Sequence, residues 1–207
     1  MSELGSLLTL SPVVPVVVVD SAEQGVNVAK ALVAGGIKVI EMTLRTPAGL
    51  EAIRAIADEV PDIVVGAGTV TTPQRAADAL AAGSQFLVSP GLTPSLLAAM
   101  KDTGLPFLPG TATVSEVLSV LEAGITEMKF FPAEQSGGAP FLSGLVTVTP
   151  DARFCPTGGI RVNTAPDYLK LANVGCIGGT WLTPADAIAA GDWERITKLA
   201  AEAAALG

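Results

Sequence analysis

The sequence contains no histidine. That absence removes Ser/His/Asp and Cys/His nucleophile systems, and with them the imidazole ligands that most catalytic zinc sites use. Acid/base work is left to Glu, Asp, Lys or Tyr. The single tyrosine, Tyr168, lies in a helical stretch away from the motifs described below and reads as structural. Cysteine is nearly as scarce. Cys155 and Cys176 stand alone, without CxxC spacing, as expected of small buried thiols in a cytoplasmic protein rather than of a disulfide framework or metal knuckle. Neither a metal nor a cofactor is expected.

Charge is also sparse: 15% of the 207 residues are charged and 49% hydrophobic, which excludes disorder and calls for a large buried core. Twelve basic residues against twenty acidic ones give a net charge of -8, which disfavours binding to nucleic acid or to an anionic membrane. An anionic small-molecule substrate therefore needs locally placed donors. The stretch "MSELGSLLTLSPVVPVVVVD" has no basic region ahead of its apolar run, and that run is too short to span a bilayer, so no targeting segment is expected. Residues 79–100 are uncharged, but Gly83, Pro90, Gly91 and Pro94 break them where a membrane helix would have to continue.

What is present is alternation. "PVVPVVVV", "IKVIEMTL", "DIVVGAGT", "SQFLVSP", "PFLPG", "ITEMKFF", "RFCPTGG" and "VGCIGGTW" are eight short apolar runs, as in parallel strands covered on both faces. Segments of helical spacing, such as "AEQGVNVAKALVAGG" and "GLEAIRAIADEV", lie between them. Thr46-Pro47, Thr72-Pro73 and Thr93-Pro94 read as helix starts, and Gly36, Gly83, Gly104 and Gly124 as left-handed helix ends. The pattern predicts one α/β domain over residues 1–207, a single (β/α)8 TIM barrel with a short N-terminal helix. A doubly wound open sheet is the rival, but "VVVVDSAEQG" offers no G-x-G-x-x-G turn after the first strand. The sixth unit, "APFLSGLVTVTPDA", is a poor helix and is expected to be short or irregular; "DWERITKLAAEAAALG" closes the chain as a final helix.

In a parallel barrel, activity sits at the C-terminal ends of the strands. On the second strand Glu41, Thr43 and Arg45 share parity, so they either bring a carboxylate and a guanidinium to the mouth or form a structural ion pair. Thr69 ends the third strand, Thr157 with Gly158 and Gly159 the seventh, and Gly178, Gly179 and Thr180 the eighth. Lys129 is one of only six lysines and is flanked by Met128, Phe130 and Phe131. Either its stem covers apolar surface while its head pairs or reaches solvent, or its amine loses hydration. Desolvation disfavours the charged form, and a neutral amine can attack a ketone to form an iminium ion. Such a route needs a proton shuttle, and without histidine Glu41 is the natural one. Arg45 can hold a keto-acid carboxylate bidentately, supported by the Thr69 hydroxyl. The Gly-Gly pairs either make tight turns or present N–H groups to a phosphate.

The motifs "GGIKVIEMTLRT", "VGAGTV", "SPGLT", "EMKFFPAE", "RFCPTGGI", "CIGGTWL" and "GDWERITKLA", in this order over nearly the whole chain, resemble the 2-keto-3-deoxy-6-phosphogluconate (KDPG) / 4-hydroxy-2-oxoglutarate (KHG) aldolases, class I aldolases of the Entner–Doudoroff pathway. The resemblance implies a Schiff base at Lys129, Glu41 as general acid/base, and Arg45 and Thr69 on the pyruvate carboxylate. It puts Thr157 beside the substrate and Gly158, Gly159, Gly179 and Thr180 around a phosphate. It further implies a homotrimer of (β/α)8 barrels that acts on a phosphorylated sugar acid. The chain departs from the family pattern at three places. Thr180 stands where serine is common and keeps the hydroxyl, Ala112 lacks a hydroxyl many relatives have, and "APFLSGLVTVT" differs from the usual lysine-containing helix. A catalytically silent oligomeric scaffold and a phosphate-binding barrel isomerase are the competing readings.

Overall fold

Parallel strands covered on both faces need apolar side chains pointing both ways, and β1 (Val13–Val17) and β2 (Val39–Thr43) are buried at every position. The computed structural model describes residues 5–207. A single 3-10 turn, Leu7–Thr9, stands where a short N-terminal helix was expected, with the Ser6 hydroxyl accepting from the Leu8 N–H at its start. After β1 the chain alternates: α1 (Ala22–Ala34), β2, α2 (Gly49–Glu59), β3 (Val64–Gly68), α3 (Pro73–Ala81), β4 (Leu87–Val88) and α4 (Pro94–Asp102). It continues with β5 (Phe107–Leu108), β6 (Gly110–Thr111), α5 (Val114–Glu122), β7 (Glu127–Phe130), α6 (Gly138–Leu145), β8 (Arg153–Pro156) and α7 (Ala165–Leu169). The last elements are β9 (Ile177–Gly179), α8 (Ala185–Ala190) and α9 (Trp193–Ala204).

All strand pairs are parallel, in a curled arrangement. Six strands run in the order β5-β4-β3-β2-β1-β9 and three in the order β6-β7-β8. The expected fifth strand is thus divided at Pro109, which has no N–H to give a ladder. Its two halves serve different neighbours: Leu87 and Val88 pair with Phe107 and Leu108, while Gly110 and Thr111 pair with Lys129 and Phe130. Isolated parallel bridges, Phe154 with Val174 and Thr157 with Gly178, lie between β8 and β9.

Helices pack on the outside through small residues. Gly25 on α1 leaves room for Ala52 on α2, and Gly35, at the end of α1, faces Ala200 on α9. The Thr197 hydroxyl of α9 also donates to the Ala31 carbonyl at 3.1 Å. Ile37, Ile40, Met42, Ile53 and Ile56 are wholly inaccessible between α1, α2 and the sheet, at roughly 1.5–3 kcal/mol for each side chain removed from water.

Thr72 and Thr93 cap α3 and α4 as expected, accepting from Arg75 N–H and Leu96 N–H, with proline at the first helical turn. Gly36, Gly83, Gly104 and Gly124 all have positive φ. Thr46 does not cap α2. The helix begins only at Gly49, and the Thr46 hydroxyl donates instead to the Val19 carbonyl at 2.6 Å, tying the loop after β2 to the end of β1. The sixth unit does form a helix, α6, which is short and has Gly137 at its start with no side-chain cap. Phe141 stacks on Phe130 with centroids 5.3 Å apart, and Asn173 donates to the Leu142 carbonyl at 2.8 Å, so packing holds what propensity does not.

Tyr168 on α7 is buried, and its hydroxyl donates to Glu134 Oε1 at 2.7 Å, joining α7 to the loop after β7. Burial first, and then the Glu134 carboxylate, push the phenol above its ordinary value of 10.0. Because the folded chain holds the neutral form, this contribution to stability is complete below about pH 10 and is lost as pH rises past it. Tyr168→Phe should therefore show a shallower loss of stability between about pH 10 and 12 than the parent in urea titrations; parallel curves would refute the assignment. A second expectation concerns α5, where the Thr113 hydroxyl accepts from Glu116 N–H and the Glu116 carboxylate accepts from the N–H groups of Ala112 and Thr113. Thr113→Ala should lower unfolding free energy by about 1 kcal/mol, read from the denaturant midpoint, and an unshifted midpoint would show that the box contributes nothing.

Candidate active site

Glu41 on β2 and Lys129 on β7 are 88 residues apart in sequence and meet between the six-stranded and the three-stranded sheet. The Lys129 ammonium donates to Glu41 Oε1 at 3.2 Å and to Oε2 at 3.5 Å, with the side chains 5% and 4% exposed respectively. Space for the carboxylate comes from β3, since a side chain at Gly68 would collide with it. Lys129 Nζ also lies 5.4 Å from the centroid of the Phe131 ring, within reach of a cation–π attraction. Of the apolar neighbours read in the sequence, Phe131 is the one at the amine, while Phe130 faces α6 and stacks on Phe141; the pairing that the blander reading allowed is present. Both describe one arrangement: a nearly solvent-free lysine head hydrogen-bonded to a carboxylate.

Arg45 is not on β2, which ends at Thr43, but in the turn that follows. Thr43 points inward and spends its hydroxyl on the Val17 carbonyl at 2.8 Å. The Arg45 guanidinium is exposed, and its Nε donates to Thr69 Oγ1 at 3.2 Å, while neither Nη group has a partner among the described residues. Thr69 sits one residue beyond β3 with φ 59°, the one non-glycine at positive φ among the described residues. A β-branched residue in that region costs about 1–3 kcal/mol and persists only where its surroundings hold it.

Past the ends of β8 and β9 a cavity of about 220 Å³ opens, lined by Val16, Arg45, Phe131, Thr157, Gly158, Gly159, Ile160, Gly178 and Thr180. Gly178 lets the Thr157 hydroxyl in, because a side chain there would overlap it. Gly158 and Gly159 have φ 106° and 80°, a turn only glycine makes freely; a side chain at Gly159 would strike Glu134, and one at Gly158 would crowd Phe131. Gly179 does not line this cavity; it packs against the Trp181 ring. Lys129, Glu41 and Thr69 are also off its wall, but Phe131 and Arg45 connect it to them. A larger hollow of about 380 Å³ lies between α4 and α5, with Glu116 and no basic side chain among its lining residues, so it is unsuited to an anion. Among the described residues no cluster of three or more His, Cys, Asp or Glu is placed to hold a metal ion, and no helix is long and apolar enough to cross a membrane.

Sequence reasoning named Lys129, Glu41, Arg45, Thr69, Thr157, Gly158, Gly159 and Thr180; the structure pairs Lys129 with Glu41, joins Arg45 to Thr69, and lines the cavity with Arg45, Thr157, Gly158, Gly159 and Thr180. It missed the space-making roles of Gly68 and Gly178 and the wall formed by Val16 and Ile160. For the glycines the available signal was position: each interrupts a β-branched strand where propensity favours a side chain. For Val16 and Ile160 there was none. Cys155 and Cys176 are buried, and the Cys155 thiol beside Cys176, together with burial, pushes the latter's thiol well above its ordinary range.

The family model for KDPG and KHG aldolases matches residues 4–199. The 2-dehydro-3-deoxy-phosphogluconate aldolase of Dickeya dadantii (strain 3937) is 54% identical over 199 residues, which cover 96% of this chain and 93% of that protein. The KHG/KDPG aldolase of Escherichia coli (strain K12) is 54% identical over 198 residues, with the same coverage of 96% and 93%. The crystal structure of KDPG aldolase from Legionella pneumophila, with pyruvate captured at low pH as a covalent carbinolamine intermediate, matches with a TM-score of 0.93. It is 44% identical and covers 95% of this chain and 96% of its own. With identity this high over almost its full length, the chain belongs to the KDPG and KHG aldolase family.

Proposed function

We propose that the chain is a class I aldolase that cleaves 2-dehydro-3-deoxy-6-phosphogluconate to pyruvate and glyceraldehyde 3-phosphate through a Schiff base on Lys129. The observation that carries this is the buried Lys129–Glu41 pair, 3.2 Å between nitrogen and oxygen. Desolvating two charges is costly, and a barrel kept only as a scaffold has no use for the pair. An isomerase could use the glycine turns but gives Lys129 no task.

The geometry supports the following sequence. Glu41 takes a proton from the ammonium, and the freed amine attacks the C2 carbonyl to give a carbinolamine. The nitrogen passes a second proton to the C2 oxygen, and Glu41 returns the first to the resulting hydroxyl, which leaves as water while an iminium remains. Glu41 then accepts the proton of the C4 hydroxyl. The C3–C4 bond electrons move into the iminium, glyceraldehyde 3-phosphate departs, and the enamine is protonated at C3 and hydrolysed to pyruvate. The free Nη groups of Arg45 take the C1 carboxylate with the Thr69 hydroxyl beside them, and Thr157 borders the carbons being separated. Gly158, Gly159 and Thr180, with Gly179 shaping the turn, supply N–H and hydroxyl donors to the distal phosphate.

4-Hydroxy-2-oxoglutarate has the same 2-oxo, 4-hydroxy end, and the E. coli relative is named for both substrates, so cleavage to pyruvate and glyoxylate is the second reading. The same proposal takes the two sheets as one (β/α)8 barrel. It is supported by the chain's direct passage from β5 to β6 through Pro109 and by the Thr157–Gly178 bridge beside β8 and β9.

Borohydride added with pyruvate should leave one reduced adduct, mapped by mass spectrometry to Lys129. Lys129→Met should abolish both adduct and turnover; an adduct on another lysine would overturn the mechanism. Removing the amine strands the Glu41 carboxylate, so this variant should lose about 3–5 kcal/mol of stability, part of which Lys129→Met/Glu41→Gln should restore. Thr180→Ala should raise KM for the phosphorylated substrate roughly tenfold while barely affecting the unphosphorylated 4-hydroxy-2-oxoglutarate. Equal effects on both would remove the phosphate assignment.

A further inference from the structure

The Arg45 guanidinium has one protein hydrogen bond among the described residues, to the Thr69 hydroxyl. Its aim therefore depends on a residue held in a backbone region that β-branched side chains avoid. What holds Thr69 there is visible. Arg75 lies in the first turn of α3, where Thr72 accepts its N–H at 3.2 Å, and its Nη1 donates to the Thr69 carbonyl at 3.1 Å and to the Thr71 hydroxyl at 3.0 Å. The Val70 N–H, at the other end of the same peptide unit, donates to the Val88 carbonyl at 3.1 Å. Both polar groups of the Thr69–Val70 peptide are thus tied, one to a helix and one to a strand end, and its plane cannot turn.

On these contacts we infer that Arg75 is a positioning residue for the substrate carboxylate, acting through Thr69 on Arg45. It touches no substrate. Without the Arg75 bond, the Thr69 carbonyl can rotate, φ can relax toward negative values, and the hydroxyl swings away from Arg45 Nε. The guanidinium is then free to sample other directions in solvent, and an oriented fork becomes an exposed point charge. The inference rests on the aldolase reading, because it presumes that Arg45 meets a keto-acid carboxylate. It goes beyond that reading by assigning the aim of the clamp to a side chain on the next helix.

The test compares Arg75→Gln and Arg75→Lys in two backgrounds, the parent chain and Thr69→Asn. Asparagine tolerates the left-handed region, and its side-chain carbonyl can still accept from Arg45. In the parent background Arg75→Gln should raise KM for the keto-acid substrate, and the pyruvate concentration for half-maximal borohydride trapping, by about tenfold. Because Lys129 and Glu41 are untouched, kcat should change less than about twofold. Arg75→Lys, which keeps one donor, should fall between. In the Thr69→Asn background the same removal of Arg75 should shift KM by less than about twofold, because residue 69 no longer needs holding. An unchanged KM in Arg75→Gln, or an equal rise in both backgrounds, would overturn the inference, the second outcome marking Arg75 as a general support of α3. If Arg75→Gln fails to fold by circular dichroism, Arg75→Lys carries the same comparison between backgrounds. Absence of any pyruvate adduct in the parent chain would instead fell the aldolase reading, and this inference with it.

Discussion

An ammonium and a carboxylate 3.2 Å apart, each about 95% withdrawn from water, set the terms for the rest of this structure. Such a pair can be kept only if the interior leaves a slot for it, excludes competing solvent and brings two distant strands to the same depth. The sheet does all three. The carboxylate of β2 fits because β3 offers glycine at 68, and Gly66 on the same strand gives its space to the Phe86 ring, so the wall beside the pair is apolar. On the other flank Lys129 lies in register with Gly110 and Cys155, two small neighbours that let its chain cross the interior. A buried pair is poor evidence for stability. It is better evidence for a task, since replacing both residues by well-packed apolar ones would serve folding at least as well.

Charge separates this site into two zones. The inner one holds the ion pair and is nearly closed to solvent, while the outer one holds an exposed guanidinium and the Gly158–Gly159 turn. Phe131 belongs to both: its ring lies 5.4 Å from Lys129 Nζ and also lines the cavity. A substrate with a reactive carbonyl at one end and a phosphate at the other matches that division. On the proposed reading its carbonyl goes where water is scarce, and its dianion stays where hydration offsets its charge.

Much of this was legible in the chain. The alternation of β-branched runs and helical spacing, punctuated by Thr-Pro starts and glycine ends, placed the strands and most helices, because caps and left-handed ends are local chemistry. Its apolar neighbours singled out Lys129 and the absence of histidine left Glu41 as its partner in proton transfer, and their contact was then a matter of topology. Other features were not local and could not be read. Pro109 dividing the fifth strand depends on which neighbours each half pairs with. Thr46 has the same Thr-Pro context as Thr72 and Thr93, yet its hydroxyl goes to Val19 across the sheet, a partner 27 residues away. Arg45 reaches the cavity from a turn rather than from strand parity, and the grip of Arg75 on Thr69 rests on a dihedral angle that sequence does not reveal.

The failed cap at Thr46 belongs to a wider division in the molecule. Helices α1, α3, α4 and α5 begin with a serine or threonine whose hydroxyl accepts an N–H of the first turn. Helices α2, α6, α7 and α8 have no such cap, and they follow β2, β7, β8 and β9, whose ends carry Arg45, Lys129, Thr157 and the glycine turns. Each missing cap forgoes about 1 kcal/mol. At these junctions the polar groups are turned to other ends: Thr46 ties the turn that carries Arg45 to β1, and Glu134 binds Tyr168 and packs on Gly159. β3 is the exception that shows the rule's cause. Thr69 precedes a fully capped helix, and there the cap residue Thr72 also fixes the backbone of Arg75, the side chain that restrains Thr69. Where a helix start has nothing to position it stabilises itself, and where it stands beside the site its local bonding is subordinated to aiming side chains at one opening.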